Sequence, residues 1–541
     1  MNRKKIWLYD TTLRDGSQRE GISLSLNDKL QIVRKLDEMG IPFIEGGWPG
    51  ANPKDVQFFW QLKEEPLKQA QIVAFCSTRR PHQKAEDDPM LKAILAANTH
   101  WVTIFGKSWD LQVTEGLQTS LAENIAMIQD SISFLISQGR QIIYDAEHWF
   151  DGYKNNPDYA LETLRGAIAS GAKWLVFCDT NGGTLPHEIS QIVSEVVKKL
   201  DLNLDDPNGV QLGIHTHNDS GTAVANAIAS VLEGTTMVQG TINGYGERCG
   251  NANLCTLIPN LQLKLGYQCL EPQQLTKLTP NSRLISEIVN LAPDDHAPFI
   301  GRSAFAHKGG IHVSAVARNP ITYEHIVPET IGNERRIVIS DQSGLSNVLS
   351  KAQSFGINLD KNDPKCREIL QRLKNLENEG YQFEAAEASF ELLMREALGQ
   401  RKQLFQIKGF QVHSEITVAE KTPYTQALAT IKLTVGDQEF LEVAEGNGPV
   451  SALDSALRKA LVKFYPEIAN FHLTDYKVRI LDSTAGTKAK TRVLIESTNG
   501  QQRWTTVGVS TNIIDASYQA VVEGIEYGIT YINNQAPLHQ T

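Results

Sequence analysis

The chain is poor in the features that mark secreted, membrane-bound or nucleic-acid-binding proteins. It carries six cysteines in 541 residues (Cys76, Cys178, Cys249, Cys255, Cys269 and Cys366), and no two stand at a Cys-x-x-Cys spacing. That argues against a thiolate zinc site and against a disulfide framework. Cys249 falls inside a polar motif but reads as an ordinary small buried thiol. No apolar h-region precedes the first polar motif, and no apolar run reaches the length of a bilayer span, so a cytosolic protein without membrane contact is expected. Positive charge is in deficit: 52 Lys and Arg against 62 Asp and Glu leave a formal charge of -10. With no dense basic block, and with Lys198-Lys199 and Arg335-Arg336 reading as solvated surface, a nucleic-acid partner is not expected. The first loop also lacks Gly-x-Gly-x-x-Gly, which weighs against a dinucleotide-binding doubly wound sheet.

What remains is a globular composition, 41% apolar and 21% charged, on a chain long enough for about three or four units. From about residue 6 to 265, short β-branched or aromatic runs alternate with amphipathic stretches such as Leu26 to Met39 and Tyr159 to Ser170. The strand candidates are Ile6 to Tyr9, Phe43 to Gly46, Gln71 to Phe75, Trp101 to Phe105, Gln141 to Tyr144, Trp174 to Cys178, Val210 to Ile214 and Met237 to Ile242. Eight such units match the size of a (β/α)8 TIM barrel; an open doubly wound sheet is the second choice.

Polar residues gather at the C-terminal ends of these strands, where parallel α/β folds build active sites. Asp10, Arg14, Asp15 and Gln18 follow the first. His215 and His217 end the seventh, two apart and therefore on one face of an extended strand. Gly244-Tyr-Gly-Glu-Arg-Cys-Gly-Asn251 follows the eighth. Asp15, His215, His217 and the Asn251 amide oxygen are candidate ligands of one metal ion with positions left for water or substrate. If the strands close, Glu45 at the end of the second and Glu147 after the fifth reach the same mouth.

Asp10-Thr-Thr-Leu-Arg14-Asp15-Gly-Ser-Gln18, His215-Thr-His217-Asn-Asp and Thr241-Ile-Asn-Gly-Tyr-Gly-Glu-Arg-Cys-Gly-Asn251, in this order, resemble the isopropylmalate, homocitrate and citramalate synthases. These are metal-dependent Claisen-condensing TIM barrels, with hydroxymethylglutaryl-CoA lyase as a relative. The resemblance implies a divalent metal cofactor (Mn²⁺, Zn²⁺ or Mg²⁺, which sequence does not rank) and condensation of acetyl-CoA with a 2-oxo acid. It implies catalytic roles for Arg14, Glu147 and His312, the last within Gly301-Arg-Ser-Ala-Phe-Ala-His307-Lys-Gly-Gly-Ile-His312, with Tyr323 as its companion and His307 structural. Glu45 is a candidate catalytic residue whose reading as the buried partner of Arg14 stands slightly ahead. Arg14, Gln18, Tyr144 and Thr180 are candidate substrate-binding residues, Thr180 being equally a helix cap. The segment Ile143 to Leu161 resembles one branch of the citramalate synthases, which implies pyruvate as the oxo acid. Tyr144, Trp149 and Phe150 are read there as walls of a small pocket.

Residues 427 to 461 parallel residues 490 to 525 as a hairpin followed by a helix, the second hairpin turning at Asn499-Gly500. This repeat predicts a pseudo-symmetric α+β domain. It resembles the regulatory domain of the same family, which implies a homodimer and isoleucine as effector. Gly446 and Gly448 read as turn residues. The expected organisation is a catalytic barrel over 1–270, a mainly helical linker region over 271–402 contributing His312, and the regulatory domain over 403–541. The alternatives are an isopropylmalate synthase, a lyase running the reverse cleavage, and a non-catalytic amino-acid sensor.

Overall fold

Eight short strands close into a parallel barrel, in sequence order, in a computed structural model of the chain that describes residues 4–204, 206–417 and 424–532. They are β1 (Trp7–Asp10), β2 (Phe43–Gly47), β3 (Gln71–Ser77), β4 (Trp101–Lys107), β5 (Gln141–Glu147), β6 (Trp174–Asp179), β7 (Gln211–Thr216) and β8 (Met237–Gly240). β1 pairs with both β2 and β8, so the sheet has no free edge and the open-sheet alternative falls. The eighth strand is shorter than expected, because a 3₁₀ turn begins at Ile242.

The helices around it are α1 (Leu26–Met39), α2 (Pro53–Glu64), α3 (Pro89–Ala97), α4 (Leu121–Ser137), α5 (Trp149–Asn155), α6 (Pro157–Ala169), α7 (Pro186–Lys199) and α8 (Ala223–Leu232). Local sequence sets their limits, as α1 illustrates. The Ser25 hydroxyl accepts from the Asp28 N–H and the Asp28 carboxylate accepts from the Ser25 N–H, a reciprocal cap. Gly40, at φ 84°, ends the helix in the left-handed region.

Both faces of the barrel sheet are buried, and alternate residues serve different cores. Leu8, Ile44, Ala74, Ile104, Tyr144, Phe177 and Val238 pack outward against the helices. Tyr9, Phe43, Val73, Ile143, Trp174, Val176, Cys178 and Met237 fill the interior. Along the inward positions, apolar residues at the strands' N-terminal ends give way to polar ones at the C-terminal ends: Phe43 to Glu45, Ile143 to Asp145, Met237 to Gln239. The floor is therefore dry and the mouth polar.

The chain divides into two units. The first runs through Phe305 and includes His325–Arg335; the second comprises Ala306–Glu324 and the chain from Arg336 on. In the first unit α9 (Leu254–Pro259), α10 (Pro272–Leu275) and α11 (Leu278–Ile288) follow the barrel. The second unit opens with β9 (Ala306–His307), α12 (Gly310–Arg318) and β10 (Arg336–Ile337), then α13 (Leu345–Ser354), α14 (Pro364–Glu379) and α15 (Glu387–Ala397). It ends in two matching βββα motifs: β11 (Gln406–Thr417), β12 (Tyr424–Val435), β13 (Gln438–Gly446) and α16 (Pro449–Leu461), then β14 (His472–Ile480), β15 (Thr491–Thr498), β16 (Arg503–Ser510) and α17 (Ile513–Tyr527). The hairpin turns fall at Gly436 and Gly500, both at positive φ. Each motif has one strand more than the repeat suggests. β14 escapes a sequence reading because its residues are exposed on both faces and show no buried alternation.

Candidate active site

Three donor atoms meet at the barrel mouth from chain segments far apart in sequence. Asp15, in the loop after β1, places Oδ2 3.2 Å from Nε2 of His215 on β7 and 3.8 Å from Nε2 of His217, just past the strand's end. The two imidazole Nε2 atoms are 3.3 Å apart. Donor atoms sharing one ion at roughly 2.0–2.2 Å lie roughly 3–3.6 Å from one another; two edges of this triangle fall in that range and the third, at 3.8 Å, lies just outside it. Among the described residues it is the one cluster of three such side chains with that spacing.

Asn251 supplies an independent sign. Its backbone pairs with His217, it is buried, and neither its amide oxygen nor its nitrogen has a hydrogen-bond partner. An unsatisfied buried polar group costs about 1–3 kcal/mol, a cost that a ligand would offset. The loop holding it needs glycine: at Gly250, φ +90°, a Cβ would collide with the Gly244 carbonyl. One carboxylate, two imidazoles and one amide oxygen form a mixed oxygen and nitrogen set that fits the expected ion.

The electrostatics favour the ligand forms of Asp15 and His217. Burial raises Asp15, but the Arg14 guanidinium and both imidazoles outweigh it and hold the carboxyl far below its usual range. Burial, then the neighbouring His215, pushes His217 down to about 4, leaving a neutral ring with a lone pair near pH 7. Burial also acts to lower His215, yet the hydrogen bond and charge of Asp15 raise it.

Arg14 is fixed from two sides. Its Nε donates to Glu45 Oε1 at 2.5 Å, and its guanidinium lies 3.8 Å over the Phe75 ring centroid. Glu45 is fully buried and also accepts from the Tyr9 hydroxyl at 2.5 Å and the Thr11 hydroxyl at 2.6 Å. With its oxygens engaged in this way, Glu45 is placed to position Arg14.

A cavity of about 230 Å³ opens above these groups, lined by Arg14, Asp15, Gln18, Glu147, Thr180, His215 and His217 among the residues expected from sequence. Glu147 is ion-paired with Lys107. The Thr180 hydroxyl accepts from the His148 N–H at 2.8 Å, leaving its own proton free to donate. Trp48, Phe75, Phe105, Asp145, Cys178, Glu247 and Arg248 complete the lining; of these, Phe75, Phe105 and Asp145 stand at inward strand positions whose parity could have pointed to them.

Tyr144 requires a correction. It lies on the outward parity of β5, fully buried in the barrel–helix core with Trp149 and Phe150, and none of the three lines the cavity. A Tyr144→Phe protein should therefore keep the substrate KM of the parent, checked by steady-state kinetics. Cys249, expected to be buried, is exposed. His312 and Tyr323 belong to the second unit, where both are exposed and their rings lie 4.4 Å apart. His307 there is buried and bonded to Glu324 at 3.0 Å, in keeping with a structural role.

A closed (β/α)8 barrel with a carboxylate and two imidazoles at the C-terminal ends of its strands defines the class: a TIM barrel with a candidate divalent-metal site at its mouth. The HMGL-like family model matches residues 5–285, a homocitrate synthase post-HMGL domain-like model residues 299–381, and a LeuA allosteric (dimerisation) domain model residues 384–529. The (R)-citramalate synthase of Synechocystis sp. is 73% identical over 528 residues, covering 97% of this chain and 96% of that protein. That of Geobacter sulfurreducens is 53% identical over 520 residues, covering 96% and 97%. A probable 2-isopropylmalate synthase of Methanopyrus kandleri is 29% identical over 521 residues, covering 96% and 98%. The chain belongs to the isopropylmalate, homocitrate and citramalate synthase family, in its citramalate synthase branch, and is an acyltransferase. Enzymes of this family generally depend on a divalent metal. Among the described residues no helix is long and apolar enough to cross a membrane.

Proposed function

We propose that the protein condenses acetyl-CoA with pyruvate to give (R)-citramalate and CoA. The observation that carries this reading is end-to-end identity with (R)-citramalate synthases, 73% in the case of the Synechocystis protein. Asp15, His215, His217 and Asn251 would hold the metal, which when bound would supply Lewis acidity to the carbonyl of the 2-oxo acid. The chain's own groups do the rest. Arg14, locked by Glu45 and Phe75, stabilises negative charge developing on the reacting oxygen. Thr180 and Gln18 orient the oxo acid's carboxylate. A base removes a proton from the acetyl methyl group, the resulting carbon attacks the ketone carbon, and hydrolysis of the thioester releases CoA. His312, with Tyr323 beside it, is our first choice of base, with Glu147 orienting it or relaying the proton.

The small cavity supports pyruvate. Trp48, Phe75 and Phe105 form a continuous aromatic wall, with ring centroids 5.1 to 5.8 Å apart. A Phe105→Ala protein should accept 2-oxobutyrate and 2-oxoisovalerate better relative to pyruvate, by about 10-fold in the ratio of kcat/KM values, since each methylene is worth about 1–3 kcal/mol. A second cavity of about 630 Å³, with Arg19 and Arg283 in its wall, draws on the same two loops, after β1 and β8, that line the first. We assign it to the phosphorylated end of acetyl-CoA.

In the second unit a cavity of about 700 Å³ between α16 and β14 combines apolar walls (Val450, Val462, Leu473) with Asp454, whose Oδ1 is buried and unpartnered. That combination suits an apolar amino acid, and isoleucine is the effector we assign. The exposed row Tyr476, Val478 and Ile480 on β14 suits a homodimer contact. A thiol-release assay with acetyl-CoA and a panel of 2-oxo acids, with and without chelator and branched-chain amino acids, tests the whole reading. Pyruvate should give the highest kcat/KM, chelator should abolish turnover, and isoleucine should inhibit. Preference for 2-oxoisovalerate would make the protein an isopropylmalate synthase, and isoleucine binding without thiol release would make it a sensor.

A further inference from the structure

Beneath the metal-binding triangle lies a buried amide that the mechanism above leaves unused. Gln239, inward-facing on β8 and 1% exposed, has Oε1 2.9 Å from His215 Nδ1 and donates from Nε2 to Asp145 Oδ1 at 3.1 Å. Asp145, inward-facing on β5, is also buried. The two bonds constrain each other. An amide offers an acceptor at one end and a donor at the other. With Asp145 Oδ1 accepting from the NH₂ group, the amide oxygen is turned toward the imidazole. An oxygen facing Nδ1 requires the proton to be on Nδ1. The His215 lone pair then sits on Nε2, the atom 3.2 Å from Asp15 and 3.3 Å from His217.

We propose that Gln239 is a positioning residue of the metal centre: backed by Asp145, it holds His215 in the tautomer and ring orientation that present Nε2 to the ion. This rests on the reading of Asp15, His215, His217 and Asn251 as ligands. A second-shell partner on the far nitrogen of a metal-bound histidine fixes its tautomer, and loss of such a partner lowers metal affinity by about 10- to 100-fold. The position also explains why the partner is an amide. Burial, and then the charge of nearby Glu45, already oppose ionisation of Asp145. A further carboxylate would add like charge to a region without solvent, whereas a glutamine transmits the orientation of Asp145 with none.

The inference is tested by calorimetric titration of chelator-treated protein with Mn²⁺, beside thermal melts of the metal-free protein. Gln239→Met preserves volume and removes both hydrogen bonds. It should bind Mn²⁺ about 10- to 100-fold more weakly, while its metal-free melt stays near that of the parent. Asp145→Asn preserves shape and can bond either end of the amide, so the orientation of Gln239 is no longer dictated. It too should weaken Mn²⁺ binding without loss of fold, a result that a purely structural role would not give. Gln239→Glu keeps an acceptor for Nδ1–H and should retain more affinity than Gln239→Met. Parent-like affinity in both Gln239→Met and Asp145→Asn would overturn the proposal. If Gln239→Met does not fold, the order Gln239→Glu above Asp145→Asn supports it and equal, parent-like affinities overturn it. A parent protein that binds no Mn²⁺, or whose Mn²⁺ binding survives His217→Ala, would instead sink the underlying metal assignment.

Discussion

An Asp15→Asn protein is expected to lose its metal and, with it, turnover. Asp15 is the one anionic group in the candidate set; burial acts against its charge, but Arg14 and the imidazoles hold its carboxyl well below the usual carboxylate range. Asparagine keeps the shape and one oxygen but no charge. Two neutral imidazoles and two amides are a weak site for a hard dication. The affinity loss should exceed the roughly 10- to 100-fold expected for a supporting residue. Measurement is by metal content after dialysis and by thiol release at saturating substrates. Stoichiometric metal and normal turnover would show that Asp15 is not a ligand. The backbone around it should persist, because the loop is also tied by Thr12, whose hydroxyl donates to Asp10 and accepts from the Ile242 N–H.

Arg14→Lys should separate chemistry from metal binding. Lysine keeps the positive charge, but its ammonium cannot bond Glu45 through an Nε, lie flat on Phe75 and present further planar donors to the cavity together. Loss of a fixed donor for developing oxyanion charge costs about 10²- to 10³-fold in kcat. We expect a fall of that order with metal content unchanged and the pyruvate KM less affected. A KM increase with unchanged kcat would reassign Arg14 from charge stabilisation to ground-state binding. Glu45 should remain satisfied in this variant, since Tyr9 and Thr11 still donate to it, so a drop in kcat would not be an indirect effect of unfolding.

The barrel and its candidate ligand set are largely written in the chain. Turn chemistry and periodicity mark α1 from its Ser25 cap to Gly40, and eight short apolar runs fix the number of strands, while the polar residues that follow the first, second, fifth, seventh and eighth mark the end at which chemistry is expected. The His-x-His spacing puts two imidazoles on one side of β7. Asp15 and Asn251 are legible as partners through their motifs. Less legible is β14 in the second C-terminal motif, since a strand open to solvent on both faces carries no buried alternation to read.

Which side of each barrel strand faces the cavity was decided by closure. On β5 the sequence Ile142-Ile143-Tyr144-Asp145-Ala146 is buried on both faces, so its polarity does not distinguish inside from outside. Tyr144 consequently reads as a pocket wall although it packs against helices, and Asp145, one residue on, is the group that reaches the mouth. The same ambiguity hides Gln239, an unremarkable amide on a short strand until β7 and β8 pair and bring it against His215. Linear order specifies the donors because their chemistry is local to each motif. The groups that aim them come from neighbouring strands, and only the register of a closed sheet assigns those neighbours.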